Sequence, residues 1–246
     1  MTRLRLFVPA IAILLAIPAL GIAVQTSTAD HTPQVPCLVI LCPDLSVDGS
    51  RFGPRIETRT FTASSCDVSE GSTVAGTRTL LRFRYTTPNL GNADLIVGNP
   101  SLNPLWFEFG ACHSHYHFKE YADYRLWEPA DHAAWEALRV ANPGVQAHVL
   151  LEAHPELQPI VGEKRGFCVI DIIRYTQGAA PRWLSCDMQG ITVGWADEYH
   201  WSLSGQYVDI TNVPGGTYVL EAEVNAEQFF MESNYDNNRA FVTVTI

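Results

Sequence analysis

Lysine is almost missing from this chain: of 16 basic residues, only Lys119 and Lys164 are lysines. Two lysines that escape so strong a bias toward arginine each call for a reason. Positive charge as a whole is scarce, with 26 acidic residues and a net charge of −10. Without Arg3 and Arg5 the balance is about −12, a surface that repels phosphate backbones and attracts cations. Nucleic acid is thereby excluded as an expected partner. No Cys-x-x-Cys pair occurs, which argues against a cysteine-rich zinc site. Low-complexity tracts and internal repeats are absent, and beyond the N-terminus so is any long apolar run.

That N-terminus carries Arg3 and Arg5, then an uncharged apolar run from Leu6 to Val24, then Ser27-Thr28-Ala29 before Asp30. This is the three-part pattern of a secretory signal peptide, so residues 1–29 are expected to be removed. An uncleaved anchor helix is the alternative, since the run is about long enough to span a bilayer. Residues 30–246, about 217 in all, suit one large domain. The expected location is secreted or extracytoplasmic, at the cell surface or in a periplasm, with no stable membrane insertion after cleavage. Six cysteines, Cys37, Cys42, Cys66, Cys112, Cys168 and Cys186, then imply disulfides in an oxidising compartment. Spacing alone leaves 15 pairings open.

Short alternating segments between turn signals predict a mostly β fold, a single-domain β-sandwich with long loops and few helices. Thr79–Tyr85 and Asp94–Gly98 flank the turn residues Pro88-Asn89-Leu90-Gly91-Asn92 and read as two strands. Gln206–Ile210, Thr217–Val224 and Phe241–Ile246 read likewise. One helix of note is expected over Asp131–Asn142, with Asp131 as cap, Trp135, Leu138 and Val140 on its apolar face, and Pro143-Gly144 as its stop. Residues 30–55, rich in Pro and Asp, should wrap the surface with little regular structure.

Cys112-His113-Ser114-His115-Tyr116-His117 sets three of the eight histidines at i, i+2 and i+4. On an extended strand all three share one face. Positions 113 and 117 would then lie about 13 Å apart, whereas an imidazole reaches only about 6 Å from Cα to a metal. The chain must therefore curl here if His113, His115 and His117 hold one ion. Imidazole suits copper, zinc, nickel and iron, and three ligands leave positions open for reaction. A solvated histidine run is the plain alternative.

With its flanks, Trp106-Phe107-Glu108-Phe109-Gly110-Ala111-Cys112-His113-Ser114-His115-Tyr116-His117 resembles the copper motif of the lysyl oxidase family, W-x-W-H-x-C-H-x-H-Y-H. Phe109 stands for a tryptophan and Gly110 for the first histidine. The resemblance extends from about Pro43 to the C-terminus. It implies a copper amine oxidase that turns primary amines, peptidyl lysine or small amines, into aldehydes with molecular oxygen, releasing ammonia and hydrogen peroxide. It also implies His113, His115 and His117 as copper ligands and a second cofactor, lysine tyrosylquinone, made from the chain's own lysine and tyrosine. Glu163-Lys164-Arg165-Gly166-Phe167-Cys168 is similar to the segment around the family's precursor lysine and points to Lys164. A gap-free match from Met188-Gln189-Gly190 to Gln206-Tyr207-Val208-Asp209-Ile210-Thr211 sets Tyr199 on the precursor tyrosine. The chemistry needs that pair: a neutral amine adds to the ortho-quinone of an oxidised tyrosine, and the product is an electron sink for a substrate amine. Proton abstraction needs a carboxylate, and Asp197 lies near Tyr199 in sequence. It could share a face with Tyr199 or serve a structural hydrogen bond.

The same resemblance implies a Cys112–Cys186 disulfide clamping the metal strand to the segment before Tyr199. The family partners of Cys66 and Cys168 fall on Ser72 and about Arg174, which leaves Cys66 with Cys168 and Cys37 with Cys42. It further implies a calcium site from Asp44 and Leu45 together with Glu232, Asn234, Asn237 and Asn238, hard oxygen donors that suit this ion. Asn234 stands for an aspartate, which lowers the charge of the site. An Asn-rich turn is the plain alternative. Set against the oxidase are a non-catalytic extracellular metal-binding or adhesion sandwich and another copper redox enzyme of dismutase-like build.

Overall fold

The computed structural model describes Cys37 and residues 41–246. The expected signal segment, residues 1–29, lies outside the described residues. Among those described, no helix is long and apolar enough to cross a membrane.

The chain runs β1 (Arg55–Phe61), α1 (Cys66–Ser69), β2 (Gly76–Arg82), β3 (Tyr85–Pro88), β4 (Leu95–Gly98), β5 (Phe107–Gly110), β6 (His115–Phe118) and β7 (Ala122–Trp127). Then come α2 (Pro129–Ala141), α3 (Ala147–Ala153), β8 (Ile160–Val161), β9 (Ile173–Arg174), β10 (Gln189–Ile191), β11 (Trp195–Tyr199), β12 (Tyr207–Asp209), β13 (Thr217–Val224) and β14 (Arg239–Thr245). The fold is mostly β, as expected, with its strands in several antiparallel sheets. Their orders are β1-β2-β12, β10-β4, β3-β11-β9, β14-β13-β7-β8 and β5-β6.

One apolar core draws on every sheet: Leu81, Leu95, Phe118, Ile191, Tyr199, Val208 and Leu220 belong to a single buried cluster. Aromatic rings fill its centre, where Tyr85 packs edge-on against Tyr121 and Tyr124. Trp127 and Trp135 stack in a second cluster that holds α2 onto its sheet.

The expected strand over Thr79–Tyr85 divides instead: β2 ends at Arg82, and Tyr85 begins β3 in a different sheet. Gly98 ends β4, which pairs with β10 rather than with the strand before the turn. In α2 the cap is Glu128, with Pro129 in the first turn, so Asp131 is a first-turn acid and not the cap. Val140 is exposed, and the buried side chains of α2 are His132 and Trp135. The second helix, α3, is short and has no strong apolar period to announce it in the sequence. Residues 41–54 are irregular apart from one 3-10 turn, Gly49–Arg51, as expected.

The disulfides are Cys37–Cys42, Cys66–Cys112 and Cys168–Cys186. The expected Cys112–Cys186 and Cys66–Cys168 bridges are therefore corrected. The reason is local packing: α1 lies against the turn that carries Cys112, setting Cys66 and Cys112 Cα atoms 5.7 Å apart, with Ser69 Oγ 3.6 Å from Cys112 Sγ. The metal hairpin is thus tied to α1, and Cys186 is left for Cys168.

Candidate metal centre and active-site pocket

The three histidines lie on a hairpin. β5 and β6 pair in the register Phe107↔Phe118, Glu108↔His117, Phe109↔Tyr116 and Gly110↔His115. The turn between them contains Cys112, His113 and Ser114, and the amides of His113 and Ser114 both donate to the Gly110 carbonyl. Ser114 adopts φ +57°, the left-handed conformation that lets the chain curl. An extended run would hold His113 and His117 far apart; here their ring centroids are 5.4 Å from each other, with His113–His115 at 5.8 Å and His115–His117 at 4.9 Å.

The Nε2 atoms of His115 and His117 are 3.1 Å apart, a separation that two cis ligands of one ion can have when bonds are about 2.0–2.1 Å. His113 Nε2 lies 3.1 Å from Glu70 Oε2, an acid just beyond α1 that no sequence motif flagged. Burial and the Lys164 charge push His117 down to about 3, and burial lowers His115 as well, which favours the neutral form of both rings. Gly110 abuts the site: a Cβ there would stand 2.9 Å from His117 Cε1 and would force that ring aside. Glycine at this position keeps room for His117.

The backbone exchange between Phe118 and Phe167, 2.7 and 2.9 Å, fastens the segment after Lys164 to β6. Lys164 and Tyr199 then line the same pocket as His113, His115 and His117, a cavity of about 200 Å³. A neighbouring cavity of about 350 Å³ shares His117 and Lys164 and is bordered by Glu70, Glu108 and Glu163. Phe167 stands between the lysine and the tyrosine. Its ring is 5.3 Å from Lys164 Nζ and 4.2 Å, centroid to centroid, from Tyr199. Burial lowers the Lys164 amine, against partial opposition from Glu70, Asp67 and Glu108.

Asp197 and Tyr199 sit two apart on β11, the central strand of its sheet, and so share a face. The Tyr199 hydroxyl donates toward Asp197 Oδ2 at 2.5 Å and the Cys168 carbonyl at 2.7 Å. Burial raises both groups well above their ordinary values, which favours the protonated acid and the phenol. The Ile170 amide also donates to Asp197 Oδ2, while Oδ1 is buried without a hydrogen-bond partner.

The residues expected to hold calcium also converge. Glu232 Oε2 accepts from the Leu45 amide at 2.5 Å, its Oε1 accepts from Asn238 Nδ2 at 2.8 Å, and Asn237 Nδ2 donates to Asp44 Oδ1 at 2.9 Å. The amide oxygens of Asn237 and Asn238 are buried and unpartnered. Asn234 instead accepts from the Asp236 amide in a local turn.

Sheets on one core, an imidazole hairpin beside a half-buried lysine, and a tyrosine bonded to a carboxylate define a β-fold protein with its titratable groups gathered in one pocket. The chain belongs to the lysyl oxidase family, whose model matches residues 55–141 and 145–246. Protein-lysine 6-oxidase of Gallus gallus is 29% identical over 163 residues, covering 65% of this chain and 32% of that protein. The Sus scrofa protein of the same name is 29% identical, covering 65% of this chain and 54% of its own. Lysyl oxidase homolog 1 of Homo sapiens is 29% identical over 162 residues, 65% of this chain and 24% of that one. The chain thus spans between about a quarter and about a half of these relatives. A solved CARDB domain from Pyrococcus furiosus, 11% identical, covers 87% of this chain and 97% of its own at a TM-score of 0.29, too low to bear on the fold.

Proposed function

We propose that this chain is a copper- and quinone-dependent amine oxidase that deaminates primary amines, small or peptidyl, and acts outside the cytoplasm after loss of residues 1–29. The observation that carries the reading is the shared pocket: His113, His115, His117, Lys164, Asp197 and Tyr199 all line it. Family membership supports an oxidase of this type; the substrate and cofactors are part of the proposal.

His113, His115 and His117 would hold copper, and their neutral imidazoles fit that ion. Copper with lysine tyrosylquinone supplies the electron acceptor for an amine. The residues of the chain do the rest. Burial keeps Lys164 inclined toward the free amine, the form able to add to an oxidised tyrosine ring. Asp197 holds the Tyr199 hydroxyl and, once ionised, is placed to receive its proton; burial raises its affinity for protons, the property a base needs. Phe167 packs against both Lys164 and Tyr199 and would help hold them in place. Asp44, Leu45, Glu232, Asn237 and Asn238 would hold calcium. In support, burial pushes Glu232 up to about 8, a site short of positive charge, and two amide oxygens lack partners. Asn234 joins that proposal only if its local turn opens.

The test is peroxide release from a small primary amine by copper-loaded parent, Lys164→Arg and Tyr199→Phe. Both variants should bind copper and lose turnover, since a guanidinium stays protonated and a phenyl ring resists oxidation to the quinone. Mass spectrometry of the parent should find the Lys164 and Tyr199 peptides joined. A parent that oxidises no amine, or a Lys164→Arg variant at parental turnover, would return the chain to a metal-binding sandwich.

A further inference from the structure

A second cluster lies away from the pocket residues, under α2. There Arg125, Arg139 and Arg239 face Asp123, Glu136, Glu221 and Glu223. Arg165 reaches Asp123 from the other side, so the four carboxylates and the guanidinium groups interlock. His132 and Glu136 stand four apart on one face of α2, above Glu221 of β13.

His132 Nε2 is 3.4 Å from Glu221 Oε2 and 3.9 Å from Glu136 Oε1. Both His132 and Glu221 are more than nine-tenths buried, and His132 Nε2 and Glu221 Oε2 find no hydrogen-bond partner. Among the described residues, this trio of acids and histidine brings its ligand atoms all within 4.8 Å of one another. A tetrahedral ion with bonds of about 2.0–2.2 Å holds its ligand atoms about 3.3–3.6 Å apart, so a small closure would suffice.

We propose that His132, Glu136 and Glu221 form a second metal site, for a divalent ion of zinc type, that pins α2 to the sheet. One imidazole and two carboxylates are a donor set for zinc, and the unpartnered imidazole nitrogen and carboxylate oxygen are its lone pairs. Arg239 is the ion's competitor: NH1 bonds Glu136 Oε1 and lies 3.9 Å from Glu221 Oε2, so the guanidinium withdraws when the ion enters.

The experiment is calorimetric titration with zinc of the full chain, its other sites first filled with one equivalent of copper and excess calcium. One further equivalent should bind and should raise the thermal midpoint. His132→Gln and Glu136→Gln should each weaken that binding by at least about tenfold, and Arg239→Gln should tighten it. Glu136 is only partly buried and its variant keeps the assay decisive should His132→Gln fold poorly. Absence of a further zinc in the parent overturns the proposal. Parental zinc affinity in Glu136→Gln overturns it too, and so does weaker binding in Arg239→Gln. None of these readouts involves amine oxidation.

Discussion

The pocket around Tyr199 and the network under α2 both bury titratable groups, and they treat charge in opposite ways. In the pocket burial favours the neutral forms: it lowers Lys164 and His117 and raises Asp197 and Tyr199. In the network, burial is overcome. Asp123, Glu223 and Glu221 raise Arg125, and His132, Arg125 and Arg239 hold Glu221 down at about 2. The difference lies in the partners, since Arg125 bonds the carboxylates of Asp123, Glu221 and Glu223 while the pocket groups meet aromatic rings, backbone groups and one another. Burial with partners of opposite charge fixes structure, and burial with neutral ones leaves groups poised to react.

Breaking the network gives the largest expected effect. Arg125→Met removes a fully buried guanidinium that bonds three carboxylates, leaving Glu221 and Glu223 in the interior with fewer partners. The fold should lose about 3–5 kcal/mol in denaturant unfolding. A loss below about 1 kcal/mol would show that water or a bound ion already serves those acids, and the contrast between the regions would fall.

Asp67 sharpens the comparison because it bonds Ser204 of the pocket lining yet behaves like the network. Burial pushes it up, but Ser204 Oγ at 2.6 Å, the Gly205 amide at 2.9 Å and the Tyr207 hydroxyl at 2.9 Å outweigh that, and its acidity is strengthened on balance. A carboxyl whose folded pKa is depressed stabilises above its unfolded value of 3.8 and loses that contribution as pH falls through the folded value. Asp67→Asn should therefore cost about 1–3 kcal/mol near pH 7 and much less below pH ~3. Urea unfolding at both values checks this, and an equal cost at the two would assign the loss to amide packing rather than charge.

What could be read from the sequence follows from how far apart the partners lie. His113, His115 and His117 are close in the chain, so their spacing alone demanded a bend, and Ser114 supplies it. Asp197 and Tyr199 share a face because a strand alternates, which places their contact within reach of the sequence too. Lys164 reaches the pocket through the Phe118–Phe167 pairing, which no local pattern encodes, and only resemblance pointed to it. Resemblance failed for the disulfides, because with two cysteines replaced the remaining four re-pair by packing. In the network, Asp123 and Arg125 alternate on β7 and Glu221 and Glu223 on β13, but the register that opposes Arg125 to Glu221 is a tertiary fact.

The smallest expected effect is the one that separates the regions most cleanly. Lys164 is a half-buried cation facing an aromatic ring, where Arg125 is fully buried and bonded to three carboxylates. Its stem packs by Gly205, where a Cβ would stand 2.8 Å from Lys164 Cδ, and Nζ faces the Phe167 ring. Replacement by methionine keeps most of the volume and removes a charge that burial disfavours. The cation–π attraction to Phe167 is worth about 0.5–1 kcal/mol, and relief of desolvation offsets its removal. Copper-free Lys164→Met should thus unfold within about 1 kcal/mol of the copper-free parent, or be slightly more stable, while the copper-loaded variant should lack the proposed amine oxidation. Set beside Arg125→Met under the same conditions, it asks whether burial of a cation is structural or functional. A cost above about 2 kcal/mol would mark Lys164 as an anchor of the fold, and the neutral-leaning pocket would then have to be explained without it.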